Sequence, residues 1–307
     1  MKNTSFYIPI AFGFLLLIAI PSFGQEVIEK TFSRIELLEM EIAGVDVIYT
    51  GVPGESEIKL SALFGKNEEV GRSFFMVTAG NTLKISYKSE NKESIEQEKR
   101  FIHLKGPENL QISIRNTSGL IGVSQVSARE TKLSVSSGKI NVQQVRGNLI
   151  LKANSGKIEA SEIEGDLSCT ITSGVAEITQ VSGNANINAN SGSLKITDIQ
   201  GLVNAKISSG NLRLENVGEL GQITVSSGSV RAVDCGLGGK TSLEGSSGSI
   251  DIQTVSPLDQ FNYNFKAGSG SLRVGTVSNP KDLTIENGSE HTIVGSISSG
   301  SLHIRNM

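Results

Sequence analysis

Few side chains in this 307-residue chain are of a kind that does chemistry. Its three histidines are His103, His291 and His303, and none has a partner at metal-ligand spacing. So few general bases argue against a Ser-His-Asp or Cys-His site. The many Ser-Gly serines lack the strand-to-helix turn and the base that a G-x-S-x-G nucleophile requires. Gly239-Lys240-Thr241 has the form of the end of a phosphate-binding loop, but Asp234 stands where that loop needs glycine. The turns also lack the stacked G-x-D spacing of calcium-binding repeats. Cys169 and Cys235 fall at inward positions four coils apart, well beyond the ~7 Å reach of a disulfide, and read as buried free thiols. No cofactor or metal is implied.

One outward column could hold a ligand. Seven residues after successive Ser-Gly serines stand Gln125, Gln144, Glu162, Gln180, Asp198, Asn216, Asp234 and Thr254. From Glu162 onward acids and amides alternate. Carboxylates and amides suit the hydroxyls of a sugar chain, so Glu162, Gln180, Asp198, Asn216 and Asp234 form a candidate ligand ladder. The plainer reading is a solvated ladder in which amides bond one another and like charges avoid stacking. As an enzyme site the column is poor. Successive acids would lie ~9.6 Å apart, just beyond the carboxylate separation of most inverting glycosidases, and no aromatic platform accompanies them.

Such a column exists only if a repeat positions it. Ser-Gly recurs with its serine at Ser118, Ser137, Ser155, Ser173, Ser191, Ser209, Ser227, Ser247, Ser269 and Ser299. The spacings are 19, then 18 five times, then 20, 22 and 30. Positions 3 and 5 after the serine are apolar in every unit, for example Ile140 and Val142, or Leu194 and Ile196. Position 8 is apolar as well, from Val126 and Val145 through Cys235 to Val255 and Val277. Four and two residues before the next serine the pattern resumes, as at Leu151 and Ala153. Alternation of period two means strands with one buried face. A second glycine near mid-unit (Gly147, Gly165, Gly183, Gly201) divides each unit into two strands of about nine residues. An 18-residue unit cannot bury its own apolar face, but stacked copies can. The expected fold is all-β: a β-solenoid whose ~18-residue coils stack ~4.8 Å apart. A hexapeptide helix is rejected, because the glycines recur near nine rather than six.

The remaining chain divides around this repeat. Residues 1–24 read as a secretory signal: Lys2, an apolar run from Phe6 to Ile20, and small residues at Ser22 and Gly24 before a cleavage point. Residues 25–117 read as an N-terminal β region that begins or caps the solenoid, with alternating runs such as Leu83-Lys84-Ile85-Ser86-Tyr87. Within it, residues 89–100 form a charged exposed loop. Residues 118–307 are the Ser-Gly solenoid. Near its end, Asn287-Gly288 falls 18 residues after Ser269-Gly270 and is expected to replace one turn, with the final segment through His303 as a capping coil. Composition agrees: 34 glycines, 6 prolines, no tryptophan and 5% aromatics disfavour a helix-rich enzyme. A net charge of −3 gives no footprint for nucleic acid.

These features carry a resemblance. Phe32-Ser33-Arg34-Ile35 opens the β region, Asn81-Thr82-Leu83-Lys84-Ile85 follows, and then Ser-Gly-x-apolar-x-apolar repeats. In this the chain resembles the bacterial putative-adhesin family of β-strand-repeat proteins, a domain of unknown function whose relatives include the head-GIN putative adhesins of Bacteroidetes. The resemblance covers nearly the whole chain after residue 24 and implies an envelope-associated β-solenoid without established enzymology. It brings no catalytic residues.

The function expected is therefore that of a non-catalytic, exported envelope or surface protein, a rigid rod binding a glycan or a cell-surface protein. It is placed in the periplasm, on the outer surface or outside the cell, with no transmembrane span in the mature chain. The alternatives are a carbohydrate-active β-helix lyase or hydrolase, and an envelope-stress or structural accessory protein.

Overall fold

The computed structural model describes residues 27–64, 70–88 and 100–307. The expected signal segment, 1–24, lies outside the described residues, as does the charged loop apart from Arg100. The chain is an all-β solenoid. Its strands join in one 19-stranded sheet, and the only helical turns among the described residues are Val70–Ser73 and Leu258–Gln260.

Each regular coil gives a segment to each of two walls around one core. In the first wall, residues 139–146 run parallel to 120–127 on one side and to 157–164 on the other. In the second, residues 149–153 run parallel to 131–135 and 167–171. Equivalent residues face one another: Ile140 pairs with Ile121 and Ile158, and Leu151 with Leu133 and Cys169. Stacking like on like makes each apolar column of the sequence a continuous buried column. The second wall has one column more than the alternation suggested. Leu149, Leu167, Ala185 and Val203 are buried a further two residues upstream, with Thr131 beneath them.

Two expected core residues are not in the core. Val255 is 56% exposed and Val277 50%. At Val255 the cause is a missing residue: the register shifts so that Thr254, not Val255, lies opposite Cys235. Thr254 takes the inward place and donates its hydroxyl to the Cys235 carbonyl at 2.7 Å. At Val277 the coil stops winding. Gly275 (φ 57°) reverses the chain, and Val277 pairs with Val274 across a two-residue hairpin.

The C-terminal end also corrects the expected cap. Asn287-Gly288 does not replace a stacked turn. The Asn287 amide donates to the carbonyls of Phe261 (2.8 Å) and Leu258 (3.3 Å), closing a loop against residues 258–262. The final strand, Thr292–Asn306, is not the outermost layer either. It lies parallel between residues 242–254 and 262–274, so Ser299-Gly300 stacks between Ser247-Gly248 and Ser269-Gly270. The true end is the strand Asn262–Val274, flanked by the antiparallel strands Val277–Asn279 and Asp282–Ile285.

The opposite end uses the same device. Leu37–Ala43 and Asp46–Val52 form a layer between an outer layer made of Thr82–Lys88 and Phe101–Pro107 and an inner one that starts at Gln111–Asn116. Antiparallel strands again lie outside: Phe74–Ala79 on one wall, Glu57–Leu63 and then Val27–Ser33 on the other. At both ends a segment from near a chain terminus is threaded one layer in. Each outermost parallel layer is thereby held between two neighbours rather than left as an open edge.

This register predicts a sharp contrast between neighbours. Ile196 is fully buried and Lys195 exposed. Ile196→Ala should lower unfolding stability by about 2–5 kcal/mol, as for other deleted core aliphatics. Lys195→Ala should change it by less than ~0.5 kcal/mol. Chemical denaturation of both variants checks this, and coincident midpoints would contradict the register.

Candidate functional site

The candidate ladder lies at the corner where the first wall turns toward the second. Inward positions 5 and 8 are three residues apart, whereas a flat strand would place them two or four apart. The chain absorbs the odd residue by dropping it from the pairing: Gln143 pairs with Ser124 and Val145 with Val126, but Gln144 with nothing. That residue adopts the left-handed conformation in seven successive coils. Gln125, Gln144, Glu162, Gln180, Asp198, Asn216 and Asp234 have φ between 53° and 59°. A left-handed L-residue costs roughly 1–2 kcal/mol, less for Asn and Asp, whose short side chains bond locally. The missing residue at Thr254 is the one this corner would have used.

At this corner the side chains point outward and meet their copies. The Gln144 amide donates to one Glu162 oxygen and the Gln143 amide to the other, both at 3.0 Å. The Asn216 amide donates to the Asp198 carboxylate at 2.6 Å. The alternation of acid and amide therefore has a use within the fold: a carboxylate only accepts, and the amide of a neighbouring coil supplies the donor. Gln180 and Asp234 occupy the same corner, Gln180 exposed and Asp234 half-buried. Hydrogen bonds from Gln143 and Gln144 hold the Glu162 carboxyl below the usual carboxylate range. The lower ladder also borders an open groove of about 320 Å³, with Gln125, Gln144, Glu162, Glu108, Arg146 and Glu164 on its walls. Glu164 pairs with Arg146 at 3.1 Å. The lowering at Glu162 is opposite to what a general acid needs, since a general acid must hold its proton.

A second ladder, not singled out from the sequence, stitches the same corner where the chain enters the second wall. Asp166 Oδ1 accepts the Asn184 backbone N–H at 2.8 Å, and Asn184 Oδ1 accepts that of Leu202 at 2.9 Å. Two residues into the second wall, Asn204 Oδ1 accepts the Gln222 N–H in the same way at 2.9 Å. The signal was present: Asp166 and Asn184 each follow a mid-coil glycine.

The remaining reactive groups are dispersed. His103 stacks on Phe101 with ring centroids 4.3 Å apart, and His303 Nε2 is 3.0 Å from Ser271 Oγ. In Gly239-Lys240-Thr241, the threonine hydroxyl donates to the Leu220 carbonyl and accepts the Gly238 N–H, so it fastens a corner. Both cysteines are free and buried, and burial pushes the Cys169 thiol up to about 12 and that of Cys235 to about 11. Among the described residues, no group of three or more His, Cys, Asp and Glu could hold a metal ion. No helix among them is long and apolar enough to cross a membrane.

The family model described as Toastrack DUF4097 matches residues 38–305, from the first inserted layer to the last strand. The chain belongs to this family. The match takes in the solenoid, both threaded ends and every ladder residue. No curated protein matches the chain. Several solved structures are similar to it. A putative adhesin from Parabacteroides distasonis ATCC 8503 is 13% identical, with a TM-score of 0.43 over 92% of this chain and 98% of that one. A putative lipid binding protein from the same strain is 18% identical, with a TM-score of 0.43 over 92% and 96%. A putative adhesin from Bacteroides fragilis NCTC 9343 is 13% identical, with a TM-score of 0.37 over 92% and 98%.

The Glu162 contacts predict a titration. Because its folded pKa is depressed, the two amide bonds stabilise the corner at neutral pH and lose that effect as pH falls through the pKa. Replacing Gln143 and Gln144 together by alanine should raise the Glu162 midpoint toward the ordinary glutamate value, read from its carboxyl ¹³C shift. An unmoved midpoint would contradict the assignment.

Proposed function

We propose that this is a non-catalytic, exported envelope protein, a rigid rod that binds a glycan or a surface protein along its length. One observation carries the reading. Seven successive coils project an amide or carboxylate from the same backbone corner, in register. A surface that repeats every coil suits a partner that repeats too, since each added unit makes the same contacts without new ordering of the protein. Glu162, Gln180, Asp198, Asn216 and Asp234 form the proposed contact edge. Membership of the Toastrack DUF4097 family accords with an envelope role, and export rests on the signal-like first 24 residues.

The carboxylate-lined groove keeps a carbohydrate-active enzyme as the second reading. The lowered pKa of Glu162 and the ion pair that Glu164 makes with Arg146 weigh against it.

One experiment separates the two. Purified protein lacking residues 1–24 is incubated with a panel of polysaccharides, assayed both for retention and for new reducing ends or unsaturated products. The proposal predicts retention without products. Asp198→Ala and Asp234→Ala should weaken retention of at least one polysaccharide by several-fold. Products would support the enzyme, and unchanged retention in both variants would remove the ladder as the contact edge.

A further inference from the structure

The two walls differ in what they show to solvent. On the first, charged side chains recur and are largely neutralised. Glu159 pairs with both Lys139 and Lys157, and Arg213 with Glu215. On the second, four successive layers are nearly free of charge. The layer of Asn186, Asn188 and Asn190 projects three amides, all exposed. Ser168, Thr170 and Thr172 lie on one side of it, and on the other Asn204, Lys206 and Ser208, followed by Gln222, Thr224 and Ser226. Lys206 is the one charged residue of the twelve. Two shallow grooves, of about 330 and 170 Å³, lie on this face, and both are bordered by Asn188 and Lys206.

We propose that this face is a binding site for an unbranched, neutral, β-linked glycan lying along the solenoid axis. Three features of the face argue for that ligand. Amides and hydroxyls offer donors and acceptors together, as sugar hydroxyls require. Some are pre-positioned by bonds between layers: the Asn204 amide donates to Asn186 at 3.1 Å and the Ser208 hydroxyl to Asn190 at 3.2 Å. Neutral groups also lose far less on leaving water than charged ones, so a neutral chain can settle there while Lys206 and, at the rim of the larger groove, Glu244 keep their exposed charges in water. The third feature is spacing. Layers repeat about every 4.8 Å, close to the advance of one ring in an extended β-linked chain. Successive rings of such a chain are turned over, so every second ring meets the same columns two layers on, whereas a coiled α-linked chain falls out of step.

The inference rests on the reading that the rod binds a repeating polymer, and adds to the corner ladder a second contact face that takes neutral chains. The test is isothermal titration of protein lacking residues 1–24 with linear β-1,4-glucan oligosaccharides, the hexasaccharide against the disaccharide, with α-1,4-glucan and polygalacturonate of equal length beside them. The hexasaccharide should bind at least about tenfold more tightly than the disaccharide, and the α-linked and acidic chains more weakly. Asn188→Arg, at an exposed site, should leave thermal unfolding unchanged and weaken the hexasaccharide by about tenfold or more; Thr170→Arg should act alike. Asp198→Ala should leave it unchanged. Binding that survives both arginine variants, or that prefers polygalacturonate, overturns the inference. If Asp198→Ala alone abolishes binding, the polymer-binding reading stands and this site falls. If no glycan binds, this site falls, and a protein partner then remains for the general reading.

Discussion

The architecture depends on how closely two backbones can approach at the Ser-Gly turn. The carbonyl of each turn glycine accepts the N–H of the residue after the glycine one coil on: Lys157 bonds to Gly138 at 3.1 Å and Val175 to Gly156 at 3.1 Å. A side-chain carbon on the next glycine would fall on that same oxygen. At Gly192 it would sit 2.5 Å from the Gly174 carbonyl oxygen, and at Gly270 2.5 Å from that of Gly300. Gly192 is not in the left-handed region, so the obstacle there is the added atom itself rather than the backbone conformation. Mid-coil glycines form a second spine of the same kind, as where Gly201 meets Gly183. With a glycine at each point of closest approach, hydrogen bonding continues from wall to wall, and the apolar columns can stack in register.

That regularity creates the problem the ends must solve, since a perfect repeat exposes an open edge at each terminus. Both ends answer by topology. A segment from near the terminus is threaded one layer inward, and antiparallel strands close the outside. The inserted layer carries its own fastenings at the N-terminal end, where Asn116 donates to the Val45 carbonyl at 2.7 Å and Asp46 accepts the Leu120 N–H at 2.8 Å. Aromatic residues gather at these ends. Phe64, Phe74 and Tyr87 pack together at one, Tyr263 and Phe265 at the other, where the aliphatic columns of the repeat no longer continue.

Much of this was legible in the sequence because each coil repeats its own instructions. Ile140, Val142 and Val145 mark inward positions, and Gly156 marks the turn, without reference to distant residues. The ends were not legible, because strand order there is set by contacts of high sequence separation. Nothing local to Ser299-Gly300 tells that it stacks between Ser247-Gly248 and Ser269-Gly270. The ladder was half legible. Its polarity and period were evident at Glu162 and Asp198, but its left-handed backbone was not, since glutamine and glutamate do not ordinarily announce one. The three-residue step from Val142 to Val145 was the available sign. The neutral second wall was overlooked because its message lies in an absence of charge spread over four coils, not in any one residue.

Unfolding of Gly192→Ala in urea tests the central claim most directly, with Gly71→Ala as reference, since nothing lies within 4 Å of a methyl group at Gly71. The close approach predicts a loss of about 1–3 kcal/mol for Gly192→Ala, as for other overpacked sites, and a change within ~0.5 kcal/mol for Gly71→Ala. Equal midpoints for the two would show that the turn has room for a side chain, and that something other than backbone contact sets the repeat.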